Sequence, residues 1–201
     1  MPTPTTSPSH SVISHLGPAV GMLAVLTLLT GVVYPLAITA IARIAFPSAS
    51  RGSLVMEGDK ATMSRVIGQP FNDPKYFWGR PSATTPSPYD AESSGGSNLG
   101  PTNPDLHTRI AARIAALRAV DPGNTAAIPV DLVTASASGL DPHISPAAAA
   151  YQLARVARVR GLSEERVREL VRVSSEGRDL GVLGEPRVNV GLLNLALDRV
   201  K

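Results

Sequence analysis

The 201-residue chain contains no cysteine, which excludes disulfides, thiolate metal sites and a cysteine nucleophile together. Histidine is nearly as scarce. Of the four present, only His107 and His143 lie beyond the first 15 residues, and neither sits in the H-x-x-x-H or H-E-x-x-H spacing that holds zinc. A phosphate-cradling G-x-x-x-x-G-K-[ST] loop is missing, as is the G-x-S-x-G turn that presents a nucleophilic serine. Aromatic residues make up 4% of the chain, too few for interleaved base-stacking platforms. The net charge of +3 comes mostly from arginines after residue 112 that alternate with acids along helical stretches, which describes solvated helix faces and not a nucleic-acid patch.

Charge is absent altogether from residues 16–42. Twenty-seven helical residues at about 1.5 Å each span roughly 40 Å, more than the hydrocarbon core of roughly 30 Å, so the run predicts one tilted membrane-spanning helix. A cleaved signal peptide is the competing reading, with Ala40-Ile41-Ala42 as its small-x-small site, but the apolar stretch is about twice a signal core in length and no basic residue precedes it. Gly17 and Gly21 form a small-xxx-small pair suited to close helix approach, and Pro35 removes one backbone donor within the span. The domain organisation read from this is a disordered Pro/Ser/Thr-rich tail over 1–15, an anchor helix over 16–45 and a soluble extracytoplasmic domain over 46–201. Arg43, Arg51, Lys60 and Arg65 follow the span, and the positive-inside rule would keep that flank cytoplasmic, although it weakens for long translocated domains.

Within the domain, residues 53–56 and 65–69 read as short strands around a turn at Glu57-Gly58-Asp59. Residues 69–104 are dense in Pro, Gly, Ser and Asn yet hold Phe71, Tyr76, Phe77, Trp78 and Tyr89, so an ordered loop pinned by buried rings is expected. Asn103-Pro104-Asp105 is a helix start, followed by a stripe at Leu106, Ile110, Ile114 and Leu117. Residues 128–134 (IPVDLVT) read as the best strand. Further helices are predicted from Ser145-Pro146 to Gly161, with Ala150, Leu153, Ala154 and Ala157 on one side, from Ser163, and from Asn189 to about Val200. The fold class is α+β or α/β.

Candidate chemistry is sparse. Ser136 or Ser138 with His143 and Asp141 can be drawn as a triad, but members within eight residues converge poorly and the same residue types make turns. Ser94, Gly95, Gly96, Ser97 and Asn98 form the one candidate anion nest, since consecutive glycines let backbone N–H groups turn inward. The competing reading is a tight loop whose glycines supply positive φ.

Longer motifs carry a specific resemblance. Residues 77–83 (FWGRPSA), Tyr89, residues 94–104 (SGGSNLGPTNP), residues 133–142 (VTASASGLDP), Ile144-Ser145-Pro146 and residues 188–198 (VNVGLLNLALD), following an N-terminal anchor, resemble the C subunit of the Kdp-type potassium-transporting ATPase over nearly the whole chain from Leu16. One departure is that Met63-Ser64 stands where the family often has Gly-Ser. The resemblance implies a single-pass accessory subunit in a bacterial inner membrane. Its implied partners are a potassium-selective channel-like subunit, a P-type ATPase subunit and a small single-span subunit, besides membrane lipid. It implies no tightly bound cofactor, with ATP entering through the ATPase subunit, and a role in assembly together with a chaperone-like rise in that subunit's ATP affinity. A nucleotide contact is implied at Gln152. The residues themselves agree with an accessory role: one helix cannot enclose an ion path, and no D-K-T-G phosphorylation motif is present. With a cytoplasmic N-terminus the domain lies outside, where it would cap the potassium-selective subunit and not meet cellular ATP. The remaining alternatives are a membrane-anchored extracytoplasmic hydrolase using Ser136 or Ser138, and an anion-binding module at Gly95-Gly96.

Overall fold

The computed structural model describes residues 12–200, with only the backbone of residues 12 and 13. The tail expected over 1–15 therefore lies mostly outside the described residues; its last four are helical. The chain divides after Gly52 into two units.

The first unit is the apolar helix. Helix α1 (Val12–Leu28) runs into a π turn (Leu29–Val33) and then α2 (Tyr34–Ala45). Together Ser14–Ala45 make one stretch of 32 residues that is long and apolar enough to cross a membrane, and none of these residues is buried. The π turn has a local cause. Pro35 lacks the N–H that would continue the α ladder, and the turn before it widens so that Tyr34 N donates to Leu29 O, five residues back. Thr30 Oγ1 donates to Leu26 O (2.7 Å) beside the same turn.

The second unit mixes helices with short antiparallel strands, which selects α+β from the two classes left open. Strands β1 (Leu54–Glu57) and β2 (Lys60–Ser64) form a hairpin around Gly58-Asp59, with Gly58 at φ +61. The second strand thus precedes the 65–69 segment expected for it. A two-residue turn brings Lys60 opposite Glu57 at once, and residues beyond Ser64 take other partners: Gly68 N donates to Leu140 O (2.8 Å).

Four capped helices supply most of the core. Helix α3 (Pro104–Val120) starts where Asn103 accepts from Asp105 N, and its expected stripe is half-buried at Leu106, Ile110 and Ile114 and fully buried at Leu117. Helix α4 (Pro146–Arg160) is capped by Ser145 and ended by Gly161 in the left-handed region (φ +66). Helix α5 (Glu164–Val173) is capped by Ser163, and α6 (Val190–Asp198) by Asn189. Three very short strands, β3 (His143–Ile144), β4 (Ser175–Glu176) and β5 (Arg187–Asn189), pair in the order β3-β5-β4. Phe77, Trp78, Leu132, Val156, Val167, Val188, Leu193 and Leu197 lie in the buried core.

Two further expectations are corrected. Residues 128–134 are not a strand: Val130–Leu132 is a 3-10 turn. Pro129 sets the entry, the Asp131 carboxylate accepts from Ser145 N (2.7 Å) and Oγ (3.1 Å), and Leu132 drops into the core while Val130 stays exposed. On α4 the buried face is rotated from the alanine stripe. Ala150 and Ala154 are exposed, whereas Gln152 and Arg155 are buried beside Leu153, Val156 and Ala157. Polar side chains occupy that face because the adjacent backbone needs them, as the next subsection shows.

Candidate functional site

Residues 69–103 contain one short 3-10 turn and no strand, so their buried backbone groups need partners outside any ladder. For the stretch Phe77-Trp78-Gly79-Arg80 those partners are side chains from distant elements. Asn194 on α6 accepts from Phe77 N and donates to Phe77 O, both at 2.9 Å. Gln152 on α4 does the same for the next residue, accepting from Trp78 N (2.8 Å) and donating to Trp78 O (3.1 Å). Each amide thus imitates one rung of a β-ladder. Arg113 Nη2 on α3 donates to Gly79 O (2.8 Å), and Tyr89 OH donates to Arg80 O (2.6 Å). Four successive carbonyls are clasped by four side chains.

The clasp is reinforced by guanidinium groups. Arg155 is 1% exposed and donates to Gln152 Oε1 (2.7 Å), Tyr76 O (3.1 Å) and Pro74 O. Its group lies 5.4 Å from the centre of the Trp78 ring, and that of Arg113 lies 5.0 Å away. Burial, with Arg158 and Arg113 nearby and Asp121 opposing, lowers the Arg155 pKa to about 10. Arg80 donates to Thr134 O (3.3 Å) and Ala135 O (3.1 Å) and pairs with Asp141 at 3.4 Å.

Gln152, the residue implied for nucleotide contact, therefore sits 1% exposed inside this clasp. Its oxygen accepts two bonds, and its nitrogen donates to Trp78 O and Ala148 O (3.3 Å). Both donors and both acceptor sites are occupied, so a nucleotide would reach the amide only by displacing Trp78 or Arg155.

The loop carrying Ser94, Gly95, Gly96, Ser97 and Asn98 docks elsewhere, on residues 136–139. Gly95 N and Ser94 Oγ both donate to Ser138 O, at 2.9 and 3.0 Å. Neither glycine has a positive φ; Asn98 does, at +51. Gly96 is needed for close approach instead, since a Cβ there would stand 3.0 Å from Ala137 O. Gly139, at φ +69, would meet Thr84 Cγ2 at 2.6 Å and Gly95 O at 2.7 Å. Gly95 N–H, one member of the expected nest, is already bonded within the chain.

The drawn triad does not assemble. Asp141 Oδ1 accepts from His143 N (3.0 Å) and faces His143 Nδ1 (3.2 Å), a local turn reinforced by the side chain. Ser136 and Ser138 hydroxyls face each other at 3.5 Å, and Ser138 Oγ accepts from Leu140 N. Among the described residues no hydrogen bond joins either serine to the imidazole. Burial would raise the Asp141 carboxyl, but bonds from His143 and the Arg80 charge outweigh it and hold the pKa below its ordinary value. No group of three or more His, Cys, Asp or Glu able to hold a metal occurs among the described residues.

Sequence reasoning missed Asn194, Arg113 and Arg155. The one available signal was polarity out of place: Asn194 interrupts an apolar run, and Gln152 and Arg155 lie three apart on an alanine-rich helix.

A family model described as K+-transporting ATPase, c chain (KdpC) matches residues 16–199. A Potassium-transporting ATPase KdpC subunit of Sorangium cellulosum is 62% identical over 187 residues, covering 93% of this chain and 98% of the relative. Relatives of the same description from Polaromonas naphthalenivorans (63% over 186 residues; 92% and 95% covered) and Methylococcus capsulatus (60% over 190 residues; 94% and 100% covered) are similarly matched.

Proposed function

This chain belongs to the family of K+-transporting ATPase c chains, KdpC, and we propose that within the pump it is a rigid extracytoplasmic clamp for the potassium-selective subunit. As a member it is a membrane-associated subunit of the potassium-transporting ATPase and not a catalyst by itself. Its proposed partners are the channel-like subunit, the P-type ATPase subunit and the small single-span subunit. The orientation proposed puts the N-terminus in the cytoplasm and the domain outside, anchored by the Ser14–Ala45 helix.

The observation that carries this reading is the enclosure of Gln152. Every polar atom of that side chain holds the Trp78 backbone, Arg155 or its own helix, which suits a shape-preserving role. A chaperone that raises ATP affinity through Gln152 requires the clasp to open and the domain to face the cytoplasm. The deciding experiment fuses, after Lys201, reporters active only inside or only outside the cell, in a strain whose growth at micromolar potassium depends on the pump. External reporter activity with growth preserved, and loss of the assembled complex on deleting the chain, is the expected result. A cytoplasmic Lys201 overturns the external clamp and returns the ATP-affinity role.

A further inference from the structure

A cavity of about 200 Å³ lies between residues 70–72, the clasped Gly79-Arg80-Pro81-Ser82 segment, Pro88-Tyr89 and the middle of α3. Its lining includes two arginines, Arg80 and Arg113, and no carboxylate. That sets it apart from the neighbouring hollow around His143, where Asp131, Asp141 and Glu185 accompany Arg80 and Arg187.

The two arginines are unequally neutralised. Arg80 has Asp141. Arg113 forms no ion pair among the described residues; its bonds go to Leu132 O (3.0 Å) and Gly79 O (2.8 Å). A guanidinium has five donors, so two bonds leave it with N–H groups to offer. Burial already lowers the Arg113 pKa, as expected for a cation held away from water without a counter-charge. Tyr89, whose phenol feels both Arg113 and Arg80, closes one wall. One positive charge in excess, spare planar donors and room for a few heavy atoms match a single small oxyanion.

We propose that this cavity binds one carboxylate or phosphate group, with Arg113 as its principal partner. The group comes from free phosphate or from an acidic side chain of a partner subunit, and the two sources are separable. The site is distinct from the Gly95-Gly96 loop and does not rest on the clamp reading.

The test is equilibrium dialysis of the full-length chain in detergent against labelled inorganic phosphate at constant ionic strength, repeated on the assembled pump. Saturable binding of one phosphate per isolated chain is expected, with acetate competing. Arg113→Gln weakens it by about ten- to a hundredfold, the worth of a charge-assisted bond. Because Arg113 also holds two carbonyls, Asn72→Asp is the second variant. It places a negative charge on the exposed rim of the cavity with little change of shape, and it weakens binding about tenfold through like-charge repulsion. Binding in both the isolated chain and the pump assigns free phosphate; binding in the isolated chain only assigns a partner carboxylate that fills the site on assembly. Absence of saturable binding to the isolated chain, or binding unchanged in both variants, overturns the proposal.

Discussion

Replacing Gln152 by Leu keeps a side chain of similar bulk and removes every hydrogen bond the amide makes, so it isolates the clasp from cavity effects. Trp78 N–H and C=O and one N–H of Arg155 lose their partner in the interior. A buried group left unsatisfied costs about 1–3 kcal/mol. Arg155 retains its bonds to Tyr76 O and Pro74 O, which puts its share at the low end. The sum is about 3–7 kcal/mol, a large part of the roughly 5–15 kcal/mol that keeps a domain folded. For a domain of this size that is a fall in unfolding midpoint of about 10–20 °C. The single tryptophan of the chain is Trp78, at the centre of the clasp, so urea unfolding of the full chain in detergent followed by its fluorescence reads the lesion where it is made. A Gln152→Leu chain within about 1 kcal/mol of the parent, in a pump whose ATP affinity has fallen, would refute the structural account and make Gln152 a ligand.

Asn194→Leu strips Phe77 of both its backbone partners and is expected to cost about 2–6 kcal/mol in the same urea titration. Gly139→Ala combines a left-handed backbone with a Cβ 2.7 Å from Gly95 O; a loss of about 2–4 kcal/mol is expected, accompanied by faster proteolysis between residues 93 and 98. Asp141 sets an acid limb: its pKa is lowered in the folded state from an ordinary 3.8, so its stabilisation is complete above that value and is lost as pH falls through the lower folded one. Urea midpoints measured from pH 6 down to pH 2.5 should therefore drop less steeply for Asp141→Asn than for the parent.

The elements legible in the sequence are those encoded by neighbours. An uncharged run of 27 residues exceeds the membrane core whatever surrounds it, because the length of an apolar helix depends on its own residues alone. Asn103, Ser145, Ser163 and Asn189 announce helix starts because a cap bonds an N–H two or three positions ahead. The rings of residues 69–104 signalled order in a segment otherwise composed like a linker, and Phe77 and Trp78 are indeed buried. The long motifs also carry the family likeness that the matched family model shows.

Tertiary structure alone decided the rest. Strands of two or three residues such as β3 and β4 have too few positions to show a period. The 128–134 segment has strand composition, yet it becomes a 3-10 turn because Asp131 meets Ser145. Gln152 and Asn194 bond residues 74 and 117 positions away, and Arg113 lines a cavity together with three other separated segments. Such roles arise from which distant backbone groups folding leaves without a partner, a demand that local sequence does not carry.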